Sequence, residues 1–228
     1  LLFKRKEKFD KDVMKRAKEI SKSTSTAVAV RKVQTALDNL QVKSINTWGD
    51  FFKKSYSLII QQFYSQSINL TTCPECNYNT INLDPVMIIN LDIDDTTACI
   101  YDCLNKYTEQ FELDEENKWT CDKCSNQVQC QKKNKMWKLS PIVIFMIKQY
   151  VDNKGKIEQF IKYPNFLNMK DYCINYKNES MDYELQSMCI HMGGLGGGHY
   201  YAYCKNNDDG FWHEYNDTHV RDLEDEEV

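Results

Sequence analysis

The chain has 228 residues, 42% of them hydrophobic and 12% aromatic, which is enough to bury the core of one or two domains and excludes a disordered tail. A net charge of −4 and a pI near 5.7 exclude a global attraction to nucleic acid or anionic membrane, so a polyanion would have to meet a local patch. The longest apolar run, Ile142 to Ile147, falls far short of the roughly 20 residues that span a bilayer. No nucleic-acid or membrane partner is therefore expected.

Residues 1 to 22 hold nine Lys or Arg against four acids, and Phe9, Val13, Ala17 and Ile20 recur at near-helical spacing, which predicts an amphipathic helix with a solvated basic face. A polar break over Ser21 to Thr26 follows, then a weakly periodic helical stretch from Ala27 to Leu40. Trp48, Phe52, Ser55, Ile59 and Phe63 step by three or four residues and predict a helix capped by Thr47. From Leu70 the period shortens. Strands are predicted over Asn79 to Asp84, Val86 to Ile93, Lys138 to Gln149, Ile157 to Ile161, Glu184 to His191, His199 to Lys205 and Phe211 to Asn216, with one helix around Thr96 to Tyr107. Strands in runs, with helices towards one end, define an α+β class with a largely antiparallel sheet.

Cys73-Pro74-Glu75-Cys76 and Cys121-Asp122-Lys123-Cys124 each allow a tight knuckle to aim two thiolates at one ion. Four thiolates close the coordination sphere, so the expected ion is a structural zinc. A redox C-x-x-C would instead open a helix in a βαβ unit, and none precedes either pair. Ten cysteines with this pattern point to a reducing compartment, cytoplasmic or nuclear. Cys99 and Cys103 read as small buried residues on one helix face. Cys130, Cys173, Cys189 and Cys204 read as single thiols in or beside apolar runs.

Five of the eight glycines, Gly193, Gly194, Gly196, Gly197 and Gly198, fall immediately before His199. Such a run suits a loop that closes over an extended peptide with small side chains. His199 to Lys205 and Phe211 to Asp217 flank a turn-rich segment, Asn206 to Gly210, and predict an antiparallel hairpin. Symmetric pairing sets His199 opposite Asp217, and one bulge shifts its partner to Asn216. Either residue offers an oxygen to one ring nitrogen and leaves the other to take a proton from a thiol. His191, His213 and His219 are expected to face solvent or lie in loops.

These residues resemble the ubiquitin-specific proteases. The resemblance runs through Gly197-Gly198-His199-Tyr200-Tyr201-Ala202-Tyr203, Trp212, Tyr215-Asn216-Asp217, Tyr163-Pro164, Leu167, Leu139-Ser140-Pro141, Lys148-Gln149-Tyr150, both C-x-x-C pairs, Leu83-Asp84-Pro85 and Trp48. It implies a papain-like fold of thumb, palm and zinc-bearing fingers, with residues 48–228 forming palm and fingers. Residues 1–47 are then a basic helical remnant of the thumb or an insert, and the thumb is incomplete. By motif, His199 matches the general base, Asn216 the third catalytic residue, and Asp217 a helper beside it. The glycine run would guide the C-terminal tail of ubiquitin, and ubiquitin and ubiquitinated proteins are the implied partners.

Two departures stand out. Met146 and Gln149 occupy positions where the family commonly has His and Arg. The family's cysteine box has no counterpart before Trp48, and none of the ten cysteines is expected at a helix N-terminus, so the nucleophile of a thiol-dependent ubiquitinyl hydrolase is expected outside these residues. The competing readings are a catalytically inactive ubiquitin binder and a zinc-ribbon nucleic-acid binder. Retention of both His199 and Asn216 disfavours the former. Glu75, Asp92, Asp94 and Asp95 near the knuckles oppose the latter.

Overall fold

Runs of β-branched and aromatic residues alternating with polar ones form strands, which outweigh the helices among the described residues. The computed structural model describes residues 1–5, 24–151, 155–174, 179–194, 196–224 and 228. Strand β1 (Leu2–Arg5) comes first, then helices α1 (Thr24–Phe52) and α2 (Leu58–Phe63). The middle of the chain forms β2 (Ser65–Thr72), β3 (Asn79–Val86), β4 (Ile88–Asp92), helix α3 (Ile100–Thr108), β5 (Gln110–Glu112), β6 (Trp119–Thr120), β7 (Gln127–Val128) and β8 (Gln131–Lys138). The rest adds β9 (Ile142–Lys148), β10 (Tyr150–Val151), β11 (Gly155–Lys156), β12 (Phe166–Asn168), β13 (Asp182–Gly194), β14 (Gly197–Lys205), β15 (Trp212–Asn216) and β16 (His219–Leu223).

An eight-stranded sheet runs β16-β15-β14-β13-β1-β9-β4, with β12 also paired to β13. Among the described strand pairs only β4–β9 is parallel. The sheet buries Phe3, Leu91, Phe145 and Tyr183 in one core with Ile100 and Leu104 of α3. Each such side chain contributes about 1.5–3 kcal/mol relative to exposure. A separate four-stranded sheet, β3-β2-β8-β5, carries its own cluster of Ile68, Leu83 and Trp137, on which Leu37 and Leu40 of α1 pack. Ser44, one turn further along α1, is buried and donates to Gln66 Oε1 at 2.5 Å. Among the described residues no helix is long and apolar enough to cross a membrane.

Four expected elements differ. Leu2–Arg5 is a strand in the middle of the main sheet and not the start of a helix. Phe3 is fully buried there, and Arg5 bonds Glu179 at 2.5 Å and the Tyr183 hydroxyl at 3.0 Å. Long-range pairing outweighs the helical spacing of the basic run. The part of that helix holding Phe9, Val13, Ala17 and Ile20 lies outside the described residues. Thr47 caps nothing, because α1 passes through it; the helix ends at Phe52 and the next one is capped by Ser57, whose hydroxyl accepts from the Ile60 amide. The boundary drawn between residues 47 and 48 therefore falls inside one helix.

The helix expected from Thr96 begins four residues later. Asp94 Oδ1 accepts from the Thr96 amide and the Thr97 hydroxyl at 2.9 and 3.1 Å, holding a turn before α3. Ile157 to Ile161 is not a strand; pairing there stops at Lys156.

Candidate active site and metal centre

β13 and β14 meet in a tight hairpin in which Gly194 pairs with Gly197, so most of the glycine run is strand and not the open loop expected. Gly193 and Gly197 have φ of +129° and +149°, which side-chain-bearing residues rarely adopt. Gly198 is required for packing: a Cβ there would lie 2.1 Å from His191 Nε2 and 2.5 Å from the Met192 carbonyl oxygen. Gly198→Ala should cost about 1–3 kcal/mol, read as a lower Tm. Gly196→Ala, whose added Cβ meets nothing within 4 Å, should leave Tm unchanged. Equal melting of the two variants would contradict the packing account.

His199 follows on β14 and pairs with Met192. Across the next hairpin, Lys205 lies opposite Trp212 and Ala202 opposite Tyr215, one residue later than symmetric pairing predicts, and the ladder ends there. Beyond that end the side chains still meet, His199 Nε2 lying 2.6 Å from Asn216 Oδ1. The Asn216 amide is oriented from behind, since its Nδ2 donates to Glu214 Oε1 at 3.2 Å and a carboxylate can only accept. Glu214 is held in turn by Arg221 at 2.9 Å. With Asn216 Oδ1 accepting, Nε2 carries the proton of the neutral ring and Nδ1 keeps its lone pair. Such a nitrogen can take a proton from a thiol.

Asp217 is not part of this contact. It is exposed at φ +52° in the two-residue turn between β15 and β16, and makes no hydrogen bond to His199. Glu214 and Arg221 were not singled out from the sequence. They face each other across β15 and β16, a pairing that the sequence reading did not include.

The other histidines differ from expectation in two cases. His191 lies in β13, with Nδ1 at 2.8 Å from the Tyr150 hydroxyl. His213 is mostly buried on β15, with Nδ1 at 2.9 Å from Asp222 Oδ1. His219 is exposed on β16.

All ten cysteines are described, and none hydrogen-bonds His199. One does sit at a helix N-terminus, contrary to expectation. Cys99 is the N-cap of α3, where its thiol and its amide both donate to Asp102 Oδ2, at 3.4 and 3.0 Å.

The four knuckle cysteines come together. Cys73 Sγ lies 3.8 Å from Cys124 Sγ, and Cys76 Sγ lies 3.6 Å from Cys121 Sγ. All four sulfurs fall within 4.8 Å of one another. A tetrahedral ion with metal–sulfur bonds of about 2.3 Å needs sulfur separations of roughly 3.8 Å, so the cluster can hold a metal ion. The two knuckles are alike: Asn77 and Ser125, each following the second cysteine of its pair, have φ of +54° and +59°. Their amides donate to Cys73 O and Cys121 O. Glu75 accepts from Asn126 at 2.5 Å, tying one knuckle to the other.

The thiols differ in acidity. Burial and then the neighbouring thiols push Cys76 up to about 12. Burial opposes ionisation of Cys121, but the amides of Cys124 and Lys123 and the thiols of Cys76 and Cys124 outweigh it and bring Cys121 down to about 7. One thiolate forms readily while another resists, so a dication is needed to hold all four sulfurs deprotonated.

A mostly antiparallel α+β fold in which a glycine hairpin leads to an Asn-oriented histidine, and which elsewhere carries a four-thiol cluster, has the architecture of the papain-like cysteine-protease class. The chain belongs to the ubiquitin carboxyl-terminal hydrolase family, whose sequence profile matches residues 7–228. A probable ubiquitin carboxyl-terminal hydrolase of Acanthamoeba polyphaga mimivirus is 29% identical over 208 residues, 86% of this chain and 44% of the relative. Ubiquitin carboxyl-terminal hydrolase 2 of Gallus gallus is 29% identical over 185 residues, 78% of this chain and 52% of the relative. Among solved structures, the SAGA deubiquitinase module of Ubp8, Sgf11, Sus1 and Sgf73 bound to monoubiquitin matches with a TM-score of 0.67 and 28% identity, covering 77% of this chain and 40% of that one. The same assembly bound to ubiquitin aldehyde matches at 0.65 and 25%, over 88% and 46%. The chain thus spans about half or less of the length of these relatives.

Proposed function

We propose that this chain is the palm and fingers of a deubiquitinase, a thiol-dependent hydrolase of the bond at the C-terminal glycine of ubiquitin. The observation that carries the reading is the 2.6 Å contact between His199 Nε2 and Asn216 Oδ1, which leaves Nδ1 as the base at the foot of the glycine hairpin. The nucleophilic thiol comes from outside these 228 residues, since every cysteine within them lies without a hydrogen bond to His199.

In the reaction, Nδ1 takes the thiol proton as the sulfur attacks the glycine carbonyl carbon, and the protonated ring then gives that proton to the departing lysine amine. Water hydrolyses the acyl-enzyme with the same nitrogen as base, restoring the thiol. Asn216 keeps the ring in the required tautomer and plane. Asp217, exposed in the adjacent turn, contributes local field at most. Gly193, Gly194, Gly196, Gly197 and Gly198 admit an extended tail with small side chains beside the hairpin.

The four-cysteine cluster holds zinc, because thiolate donors in a closed tetrahedron suit that ion and leave no coordination site for substrate. The partners are ubiquitin and ubiquitinated proteins; the matched assemblies that carry monoubiquitin and ubiquitin aldehyde support this. The compartment is cytoplasmic or nuclear, where four thiols stay reduced.

The test uses the complete protein and ubiquitin bearing a C-terminal electrophile. Covalent capture at a cysteine outside residues 1–228 is expected. Binding of ubiquitin with no capture would replace this reading with a catalytically inactive relative, and neither binding nor capture would remove ubiquitin as the partner.

A further inference from the structure

The glycine hairpin is fastened from its flank by a smaller hairpin that the proposed chemistry does not use. β10 and β11 pair Tyr150 with Lys156, so both side chains project from one face. β1 pairs with β13 as far as Ser187, and β10–β11 meets β13 further along. Carbonyls two residues apart along a strand point from the same edge. Lys156 Nζ donates to two of them, His191 O at 2.9 Å and Gly193 O at 3.2 Å. One ammonium group thus ties two successive carbonyls along this edge of β13.

The second tie runs through a side chain. The Tyr150 hydroxyl meets His191 Nδ1 at 2.8 Å. The His191 ring stacks on Tyr200, with centroids 4.4 Å apart and 35° between the planes. Gly198 presses on the same ring so closely that a Cβ would overlap its Nε2. Gly198 and Tyr200 are the residues on either side of His199, so His191 grips β14 immediately before and after the base. None of Tyr150, Lys156 and His191 hydrogen-bonds His199 or Asn216.

We propose that the β10–β11 hairpin is a brace: Lys156, Tyr150 and His191 are positioning residues that hold the end of β13 and, through it, the backbone carrying His199 at its bonding distance from Asn216. The inference rests on the reading of His199 as the base, but its structural half can be measured without any turnover. Catalysis is sensitive to such placement, since a displacement of about 1 Å can cost about 100-fold in rate.

The experiment compares the complete protein with its Lys156→Met, Lys156→Arg and Tyr150→Phe variants. Amide exchange over residues 188–194 and 197–201 is expected to rise about tenfold in Lys156→Met and to return towards the parent rate in Lys156→Arg, whose guanidinium can bond both carbonyls. The Nε2–H proton of His199, followed with ¹⁵N-histidine, should lose protection in parallel. On a fluorogenic ubiquitin C-terminal substrate, kcat should fall about tenfold with KM changed less than threefold.

Tyr150→Phe keeps the ring and removes only the hydroxyl, and decides the matter if Lys156→Met fails to fold. Exchange within twofold of the parent in both Lys156→Met and Tyr150→Phe would overturn the brace, as would a loosened hairpin with the His199 proton still protected. A parent protein with no turnover, yet with the expected exchange changes, would keep the brace and remove the deubiquitinase reading.

Discussion

His199→Ala in the complete protein is expected to lower turnover of a fluorogenic ubiquitin C-terminal substrate by about 10⁴-fold or more, with ubiquitin affinity unchanged. The size of the loss follows from the contact with Asn216. That bond fixes one proton on Nε2 and leaves the only ring lone pair at Nδ1, so removing the ring removes both the acceptor of the thiol proton and the donor to the leaving amine. A thiol left without a base is mostly protonated at neutral pH and attacks slowly. Asn216→Ala should have a smaller effect, because the ring remains and loses only its orientation. Retention of more than a tenth of parental turnover in His199→Ala would assign the base elsewhere.

Removing the metal is expected to have the second largest effect, this time on stability. Metal binding to a four-thiolate site supplies on the order of 10 kcal/mol of apparent free energy, most of it folding free energy when the ligands lie on separate ribbons. Here Cys73 and Cys76 follow β2, whereas Cys121 and Cys124 lie between β6 and β7. Without the ion, little else joins these knuckles beyond the Glu75–Asn126 bond and a small cluster including Val128 and Cys130.

The pH dependence has a definite sign. Binding displaces protons from the thiols, Cys121 giving its proton up near pH 7 and Cys76 last. Metal affinity must therefore fall as the pH falls. Chelator-treated protein should melt at a lower temperature, Cys73→Ala should melt low with or without added zinc, and metal release measured with a chromophoric chelator should accelerate as the pH falls. Identical melting curves before and after complete metal removal would show that the cluster is not a structural centre.

The sequence made the metal centre readable because its signal is local: two pairs of cysteines at knuckle spacing need only a turn each. The pairing of His199 with Asn216 was readable for another reason, since the residues around both carry a dense family resemblance. Strand arithmetic alone left Asn216 and Asp217 both open as the partner of His199. It paired Lys205 with Phe211, whereas the ladder starts at Trp212 and ends at Ala202 and Tyr215, beyond which the two side chains meet without backbone pairing. Contacts made where a sheet frays depend on strand twist and on the direction of each side chain, which residue counting does not contain.

Glu214 and Arg221 were missed for a related reason, because their meeting depends on β15 pairing with β16. The basic run at the start of the chain misled at Leu2–Arg5. A four-residue strand is too short for its own periodicity to identify it, and its stability comes from partners more than 130 residues away, such as Pro141 and Glu179.

That short strand has a consequence for how the molecule assembles. β1 lies between β13 and β9, and among the described strands it links the β13–β16 side to the parallel β9–β4 pair. The β13–β16 side can form from consecutive strands, but the seam closes only when Leu2, Phe3 and Lys4 find partners near residues 143 and 185. Contacts of such long reach form slowly, because the loop-closure entropy comes before any gain. Completion of the principal sheet is thus expected late in folding, with the hairpin that carries His199 reaching its final footing once this strand is in place.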